Sequence, residues 1–119
     1  MKRDYKLYLQ DILAAIESIE SFVAGMDGEA FRNDDKTSSA VIRKLEIIGE
    51  ATKQLPAELR QKYPDAPWKE MAGMRDRLIH FYFGVTYRLI WRTIQEDLPS
   101  AKAHMEFILQ EETAADGGE

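Results

Sequence analysis

The sequence predicts an all-α protein, an antiparallel bundle of four or five helices joined by short connections. Apolar residues recur three and four positions apart along most of the chain, whereas no stretch shows the two-residue alternation of a half-buried strand. Glycine and proline separate the periodic stretches. With 119 residues, 45% of them hydrophobic, the chain is long enough for one compact domain with a substantial core. We place this domain at residues 1–112 and expect a disordered polar tail from Thr113 to Glu119.

Two long amphipathic helices are predicted in the N-terminal half. The first begins at Tyr5 and stops near Gly25, and a short helical piece containing Phe31 follows it. The second ends at Pro56, and its candidate caps are Asp34, Asp35 and Thr37. The predicted core stripes are Tyr5, Tyr8, Leu9, Ile12, Leu13, Ile16, Ile19, Phe22 and Val23 in the first helix, and Val41, Leu45, Ile48, Ala51, Thr52 and Leu55 in the second.

Proline and glycine divide the C-terminal half into further helices. A short helix runs from Pro56 to Tyr63, and a third long helix runs from Trp68 to about Phe83. Gly84 separates it from a fourth helix, marked by Tyr87, Ile90, Trp91 and Ile94. Because proline fits the first turn of a helix but not its interior, Pro99 is predicted to begin a fifth helix. The apolar positions of that helix are Met105, Ile108 and Leu109.

Charge and cysteine content exclude several classes of protein. The formal net charge of −5 excludes a globally basic protein that coats nucleic acid. The absence of cysteine excludes disulfide scaffolds, thiolate zinc sites and thiol nucleophiles. Residues 68–92 nevertheless carry a net charge of +3, so this segment could recognise an anion or meet an acidic partner chain. No apolar stretch approaches the roughly 18 residues of a membrane span, and we expect a cytoplasmic protein without membrane contact.

Most catalytic motifs are missing from the sequence. It has no phosphate-binding glycine loop, no His-Glu-x-x-His helix, no calcium loop and no nucleophile elbow. The two histidines, His80 and His104, fall on different predicted helices without carboxylates at a ligand spacing. We therefore predict no metal site and no cofactor. His104 is interpreted as a solvated residue or as one that packs within the bundle.

One segment, residues 75–82, combines groups that could cleave RNA: Arg75, Asp76, His80 and Tyr82. An imidazole, with an ordinary pKa of about 6.5, can take up and return a proton at neutral pH. A guanidinium binds phosphate through a planar fork and can neutralise charge that develops on a phosphoryl group. With the ribose 2′-hydroxyl as nucleophile, Arg75 could hold the phosphate while His80 moves protons, and no metal would be required.

A straight helix divides these residues between two faces. At about 100° per residue, Arg75 and His80 lie about 140° apart around the axis. Arg75 aligns with Tyr82, whereas Asp76 aligns with His80 and could orient it or favour its charged form. Either the arginine curls around the helix or a second copy completes the site. Two antiparallel copies across a twofold axis would bring both sets into one cleft, and we therefore predict a functional homodimer.

The same residues also have non-catalytic interpretations. Asp76 could form a surface charge pair with His80 or Arg77, worth about a few tenths of a kcal/mol, and Tyr82 could lie at the edge of the core. The aromatic residues interpreted as core are Phe81, Phe83, Tyr87 and Trp91. Arg88 and Arg92, four positions apart on the next helix, could form a solvated face or a phosphate track that leads to the site.

At this segment the sequence resembles the HepT toxins of the HEPN superfamily, small all-helical proteins. Their signature is Arg, a polar residue, three further residues, His, any residue and Tyr, and the positions that match it are Arg75, Asp76, His80 and Tyr82. Family landmarks follow in order over nearly the whole chain: Ile47-Ile48-Gly49-Glu50-Ala51, Leu55-Pro56, Tyr63-Pro64, Pro67-Trp68-Lys69, Met71-Ala72-Gly73-Met74-Arg75-Asp76, Phe83-Gly84-Val85, Trp91 and Asp97-Leu98-Pro99. The chain departs from the family at Thr86, where an acidic residue is common.

The resemblance implies a metal-independent ribonuclease that dimerises to build its site and acts as the toxin of a toxin–antitoxin pair. Arg75 and His80 would be catalytic, and Asp76 would be a supporting polar residue. The implied antitoxin is a minimal nucleotidyltransferase that transfers AMP to Tyr82. The implied assembly is a homodimer of this chain, or a larger hetero-oligomer that includes the antitoxin. Negative charge and bulk beside Arg75 would then occupy the place of the RNA phosphate.

A second hypothesis is a non-catalytic helical module that binds a nucleotidyltransferase or a nucleotide, a setting in which HEPN domains also occur. The intact pair of Arg75 and His80 favours the enzyme, because a helical core has no need of such a pair. The acidic net charge predicts modest nonspecific affinity for RNA, so the choice of substrate must depend on local shape. The sequence does not distinguish tRNA from mRNA, or endonuclease from exonuclease action.

Overall fold

The computed structural model describes residues 4–76 and 87–117, and every regular element within these ranges is a helix. In chain order the elements are α1 (Tyr5–Phe22), α2 (Gly28–Asn33), α3 (Asp35–Gln54), α4 (Ala57–Lys62), α5 (Trp68–Ala72), α6 (Tyr87–Arg92), a π-helix (Thr93–Asp97) and α7 (Leu98–Gly117). Helix α1 packs against α3 and α7, while α3 also packs against α5. The predicted all-α bundle is therefore confirmed.

The first two long helices begin at aspartate caps. Asp4 precedes α1 and accepts a hydrogen bond of 2.9 Å from the backbone N–H of Lys6. Of the three candidate caps for α3, Asp34 is the one that precedes the helix, and it accepts a 3.0 Å hydrogen bond from the N–H of Thr37. This hydrogen bond lowers the pKa of the Asp34 carboxyl. Each cap satisfies a backbone donor that the first helical turn leaves without a partner.

The predicted apolar stripes form most of the core. In α1 the fully buried residues include Leu9, Ile12, Ile16 and Ile19, while Tyr5, Tyr8 and Leu13 are partly buried and Phe22 is exposed. All six predicted residues of the α3 stripe are buried. Residues from the other elements complete the same cluster, among them Phe31, Leu59, Met71, Met74, Ile90, Met105 and Ile108. Full burial of one such aliphatic side chain contributes roughly 1.5–3 kcal/mol to stability.

Helix α7 begins at Leu98 and has Pro99 in its first turn, as predicted, but no loop separates it from α6, because helical structure continues from Tyr87 to Gly117. A π-helix lies immediately before α7, and the N–H of Leu98 donates to the carbonyl of Thr93, five residues back. A proline inside an α-helix lacks one donor and its ring clashes with the carbonyl four residues earlier. The wider π-type turn accommodates Pro99 at this point, so the predicted fourth and fifth helices form one helical segment.

The third long helix also differs from its prediction. Helix α5 ends at Ala72, the chain turns at Gly73, and residues 74–76 are helical again. Glycine has a low helix propensity, which is consistent with an interruption at this position. The predicted end near Phe83 and the predicted break at Gly84 lie outside the described residues.

Glu112, near the end of α7, is a buried carboxylate that joins three helices. It accepts hydrogen bonds of 2.6 Å from the hydroxyl of Tyr5, 2.6 Å from the hydroxyl of Tyr63 and 2.8 Å from Nζ of Lys62. These contacts, led by Lys62, lower the pKa of Glu112 to about 2. The hydrogen bond to Glu112 raises the pKa of Tyr5 to about 12, and burial together with the same carboxylate raises that of Tyr63 to about 12.

Helix α7 continues beyond Glu112 into the segment that the sequence predicts to be a disordered tail. Residues 113–117 are helical, and Asp116 forms an ion pair with Lys6 of α1. Across the described ranges, no helix has the length and apolar composition needed to span a bilayer.

Candidate active site

Arg75 and Asp76 lie at the surface, at the end of a short segment that Met71 and Met74 anchor in the core. Met71 and Met74 are almost completely buried, whereas the side chains of Arg75 and Asp76 are 52% and 67% exposed. Burial of the two methionines fixes the backbone of this segment against the bundle. The two polar side chains that follow are therefore presented to solvent by a segment that is anchored in the core.

Gly49 of α3 allows the backbone at Arg75 to approach α3 closely. A Cβ atom at position 49 would lie 3.0 Å from both the Cβ and the backbone nitrogen of Arg75, and 3.4 Å from the carbonyl oxygen of Ala72. Any larger residue at this position would push the segment away from α3. The position of Arg75 thus depends on the lack of a side chain at Gly49.

Two acidic–basic pairs join this segment to the exposed face of α3. Nη1 of Arg75 lies 3.0 Å from Oε1 of Glu50, and Oδ1 of Asp76 lies 3.6 Å from Nζ of Lys53. All four side chains are at least a third exposed, so each pair contributes at most about 1 kcal/mol to stability. Both pairs are consequently weak enough to open when a stronger ligand arrives.

The arrangement leaves Arg75 able to bind an anion. Glu50 occupies one terminal nitrogen of the guanidinium and is its one ion-pair partner within residues 4–76 and 87–117. A guanidinium carries five N–H donors, so a phosphate could contact the rest of the fork or replace the carboxylate. Glu50 thus holds the arginine in place without using all of its binding capacity.

The structure tests only part of the site predicted from the sequence. His80 and Tyr82 lie outside the described residues, so their distances from Arg75 stay a prediction. Asp76 contacts Lys53 on another helix, a partner that the helical spacing did not indicate. Glu50 and Lys53 were not predicted as site residues. The signal that could have identified Glu50 was its position beside Gly49, in a motif recognised only as a family landmark.

The other candidate residues lie elsewhere. His104 lines a separate cleft of about 370 Å³ between the C-terminal end of α4 and α7, together with Tyr63 and Phe107. Arg92 forms an exposed ion pair of 3.1 Å with Glu96, which is consistent with its interpretation as part of a solvated face. Tyr87 and Trp91 pack their rings against Phe31. Among the described residues, no group of three or more His, Cys, Asp and Glu side chains could hold a metal ion.

A known protein family matches most of this chain. The family described as "Ribonuclease HepT-like" matches residues 12–108, which include α3, the Gly49–Glu50 pair and the Arg75 segment. The chain belongs to the HepT-like ribonuclease family. The resemblance inferred from the motif of Arg75 is therefore confirmed at the level of the family.

Relatives of this HepT-like chain support the same assignment. It is 54% identical over 106 residues to a protein of Thermococcus cleftensis named "Probable ribonuclease HepT", covering 89% of this chain and 96% of that protein. A protein of Methanocaldococcus jannaschii named as a "Putative RNase" is 48% identical over 110 residues, covering 92% and 95% of the two chains. Another of that name from Caldanaerobacter subterraneus subsp. tengcongensis is 50% identical over 105 residues, covering 88% and 94%. No solved structure gives a significant match.

Proposed function

We propose that this protein is a ribonuclease that cleaves RNA without a metal ion, with Arg75 and His80 as its catalytic residues. The observation that carries the proposal is the exposed guanidinium of Arg75, which pairs with Glu50 and whose backbone packs closely on Gly49. Membership in the HepT-like family and the names of three relatives support the same activity.

The proposed reaction needs one cation and one group that transfers protons. His80 takes the proton of the ribose 2′-hydroxyl, whose oxygen attacks the adjacent phosphorus while the bond from phosphorus to the 5′-oxygen breaks. His80 returns that proton to the departing 5′-oxygen, and Arg75 stabilises the negative charge on the phosphoryl oxygens. The products are a 2′,3′-cyclic phosphate and a free 5′-hydroxyl, so no water or metal is consumed in the step.

A homodimer is part of the proposal. On a straight helix Arg75 and His80 lie on different faces, and a twofold-related copy would supply the missing half of each site. Arg75 is half exposed in the single chain, so it is available to a second copy or to a substrate.

The proposed regulation is that of a toxin controlled by its antitoxin. A nucleotidyltransferase would transfer AMP to the hydroxyl of Tyr82, which adds a phosphodiester and a bulky nucleoside near Arg75. Arg75 would then bind the attached phosphate in place of the RNA phosphate. Only mild competition with Glu50 opposes this, because an exposed ion pair is weak.

Cleavage of total RNA in excess EDTA tests the proposed activity. The purified protein must first be shown by mass to be unmodified at Tyr82. We expect cleavage by the unsubstituted protein, and a loss of roughly 100-fold or more in Arg75→Ala and His80→Ala. Arg43→Ala is the matched control, because Arg43 is 68% exposed and forms a comparable ion pair with Glu46 on α3.

Two results would overturn the proposal. Cleavage by Arg75→Ala and His80→Ala at the rate of Arg43→Ala would remove both residues from the mechanism. No cleavage by an unmodified dimer would instead favour the non-catalytic module that binds a nucleotidyltransferase.

A further inference from the structure

A second concave surface lies between α2 and α6. It is a cleft of about 890 Å³, and its described lining shares no residue with the surface around Arg75 and Glu50. The volume falls within the range of roughly 300–1,000 Å³ that is typical of small-ligand sites. The lining residues that matter here are Gly28, Glu29 and Arg32 from α2, and Tyr87, Arg88 and Trp91 from α6.

The charges of the cleft favour an anion. Arg32 and Arg88 are both exposed, and neither guanidinium has an ion-pair partner within the described parts of the chain. Arg92, one turn after Arg88, is different because it pairs with Glu96 at 3.1 Å. Glu29 supplies one carboxylate to the lining, so the two arginines leave the cleft with an excess of one positive charge.

The aromatic residues of the cleft offer a stacking surface. The ring of Trp91 packs against the buried ring of Phe31, with centroids 5.3 Å apart, and the indole stays partly exposed at the cleft. A Cβ atom at position 28 would lie 3.2 Å from Cδ1 and 3.3 Å from Nε1 of Trp91. Gly28 therefore keeps the edge of the indole that carries the N–H donor open toward the cleft.

We propose that this cleft binds one nucleotide of single-stranded RNA, with the base against Trp91 and the phosphate between Arg32 and Arg88. The proposal rests on the proposed function, because it assigns a subsite of the RNA substrate outside the cleavage site. Sites for single strands combine cationic side chains that follow the backbone with aromatic rings that stack on bases. The cleft has both features. Binding of an acidic partner protein would require only the cationic side chains and would leave the aromatic ring without a role.

Binding of a labelled RNA tests the cationic half of the proposal. The probe is a fluorescent 20-nucleotide single-stranded RNA, and all proteins also carry His80→Ala so that cleavage does not interfere. We expect Arg32→Ala and Arg88→Ala each to weaken binding about fivefold to tenfold and to reduce the salt dependence, by about 0.7 in log K against log[salt] for each lost phosphate contact. Arg43→Ala removes the same charge from an exposed site outside the cleft and should bind normally.

Tryptophan fluorescence tests the aromatic half. The chain has two tryptophans, and the N–H of Trp68 donates to the carbonyl oxygens of Tyr63 and Arg60, at 2.9 and 3.2 Å. Because there are only these two tryptophans, Trp68→Phe leaves Trp91 as the single fluorescent probe, and Trp91→Phe is the reciprocal control. RNA should quench the fluorescence of the Trp68→Phe protein and leave that of the Trp91→Phe protein unchanged. Equal quenching, or none, would overturn the assignment of Trp91.

The assays separate failure of the cleft from failure of the ribonuclease. If the unsubstituted protein cleaves RNA and the two cleft variants bind RNA like Arg43→Ala, the cleft proposal alone is wrong. If RNA binding depends on Arg32 and Arg88 but no RNA is cleaved, the proposed ribonuclease alone is wrong. If Arg32→Ala and Arg88→Ala bind RNA normally but no longer bind a nucleotidyltransferase, the cleft is a protein interface and the proposal is overturned.

Discussion

Two ionic clusters of this chain use similar residues in opposite ways. Around Glu112, two phenols and an ammonium enclose a carboxylate whose residue is only 6% exposed. Around Arg75, a single carboxylate meets a guanidinium, and both side chains are about half exposed. A buried charge that loses a partner is costly, whereas an exposed pair exchanges partners at little cost. The first cluster is therefore suited to stability and the second to binding a substrate.

Glu112→Gln is expected to have the largest effect on stability. It removes the charge that Lys62 and the two phenols surround, and the lowering of the Glu112 pKa from 4.5 to about 2 corresponds to about 3 kcal/mol of stability at neutral pH. Urea unfolding measures this loss. Glu20→Gln is the matched control, because Glu20 pairs with Lys102 at 2.9 Å while its side chain is 46% exposed. A similar change in both variants would contradict the contrast between the two clusters.

Acid should abolish much of the stability that the charge of Glu112 contributes. The pKa of Glu112 is lowered from 4.5 to about 2 in the folded protein, so its contribution is present above pH 4.5 and is lost as the pH falls toward 2. The gap in unfolding free energy between the unsubstituted protein and Glu112→Gln should shrink by about 2 kcal/mol between pH 6 and pH 3. A gap that stays constant over this range would show that the charge of Glu112 does not stabilise the fold.

Gly49→Ala is expected to act on both stability and cleavage. The new methyl group would lie 3.0 Å from the backbone nitrogen of Arg75, and this overpacking should outweigh the gain in helix propensity, leaving a net loss of about 1 kcal/mol. Cleavage of RNA should fall further, because Arg75 would move. Ser39→Ala, at an exposed position of the same helix, is the control for propensity alone. Unchanged cleavage in folded Gly49→Ala would separate Gly49 from the site.

Glu50→Gln is expected to have the smallest effect. The pair with Arg75 is exposed, so the free energy of unfolding should change by less than about 1 kcal/mol. Removal of a negative charge beside the proposed phosphate site should lower KM for RNA up to about threefold at low salt, with the difference disappearing at high salt. An increase in KM would indicate that Glu50 is needed to position Arg75.

Local patterns predicted most of the fold, and contacts between distant residues account for what they missed. The apolar stripe of α3 and the cap at Asp34 depend on neighbours within a few residues; the stripe was predicted from spacing, and Asp34 was one of three candidate caps. The start of α7 at Leu98 also follows the local rule for proline, whereas the π-helix that joins α6 to α7 without a loop is a rearrangement that no local rule indicates.

The partners of the two ionic clusters could not be predicted from the sequence for the same reason. Glu112 accepts a hydrogen bond from Tyr5, which is 107 positions away in the sequence. Arg75 pairs with Glu50, from which it is separated in the sequence by α4 and α5. The motif of Arg75 was nevertheless visible from the sequence, because its functional groups are close together along the chain.

A paired measurement of stability and RNA cleavage in Arg75→Ala and Glu112→Gln tests most directly whether Arg75 serves cleavage and Glu112 serves stability. We predict that Arg75→Ala loses cleavage roughly 100-fold or more with less than about 1 kcal/mol of stability. Glu112→Gln should lose about 3 kcal/mol of stability and still cleave RNA at a temperature at which it is folded. Cleavage retained by Arg75→Ala, or a large loss of stability in that variant, would contradict the central claim.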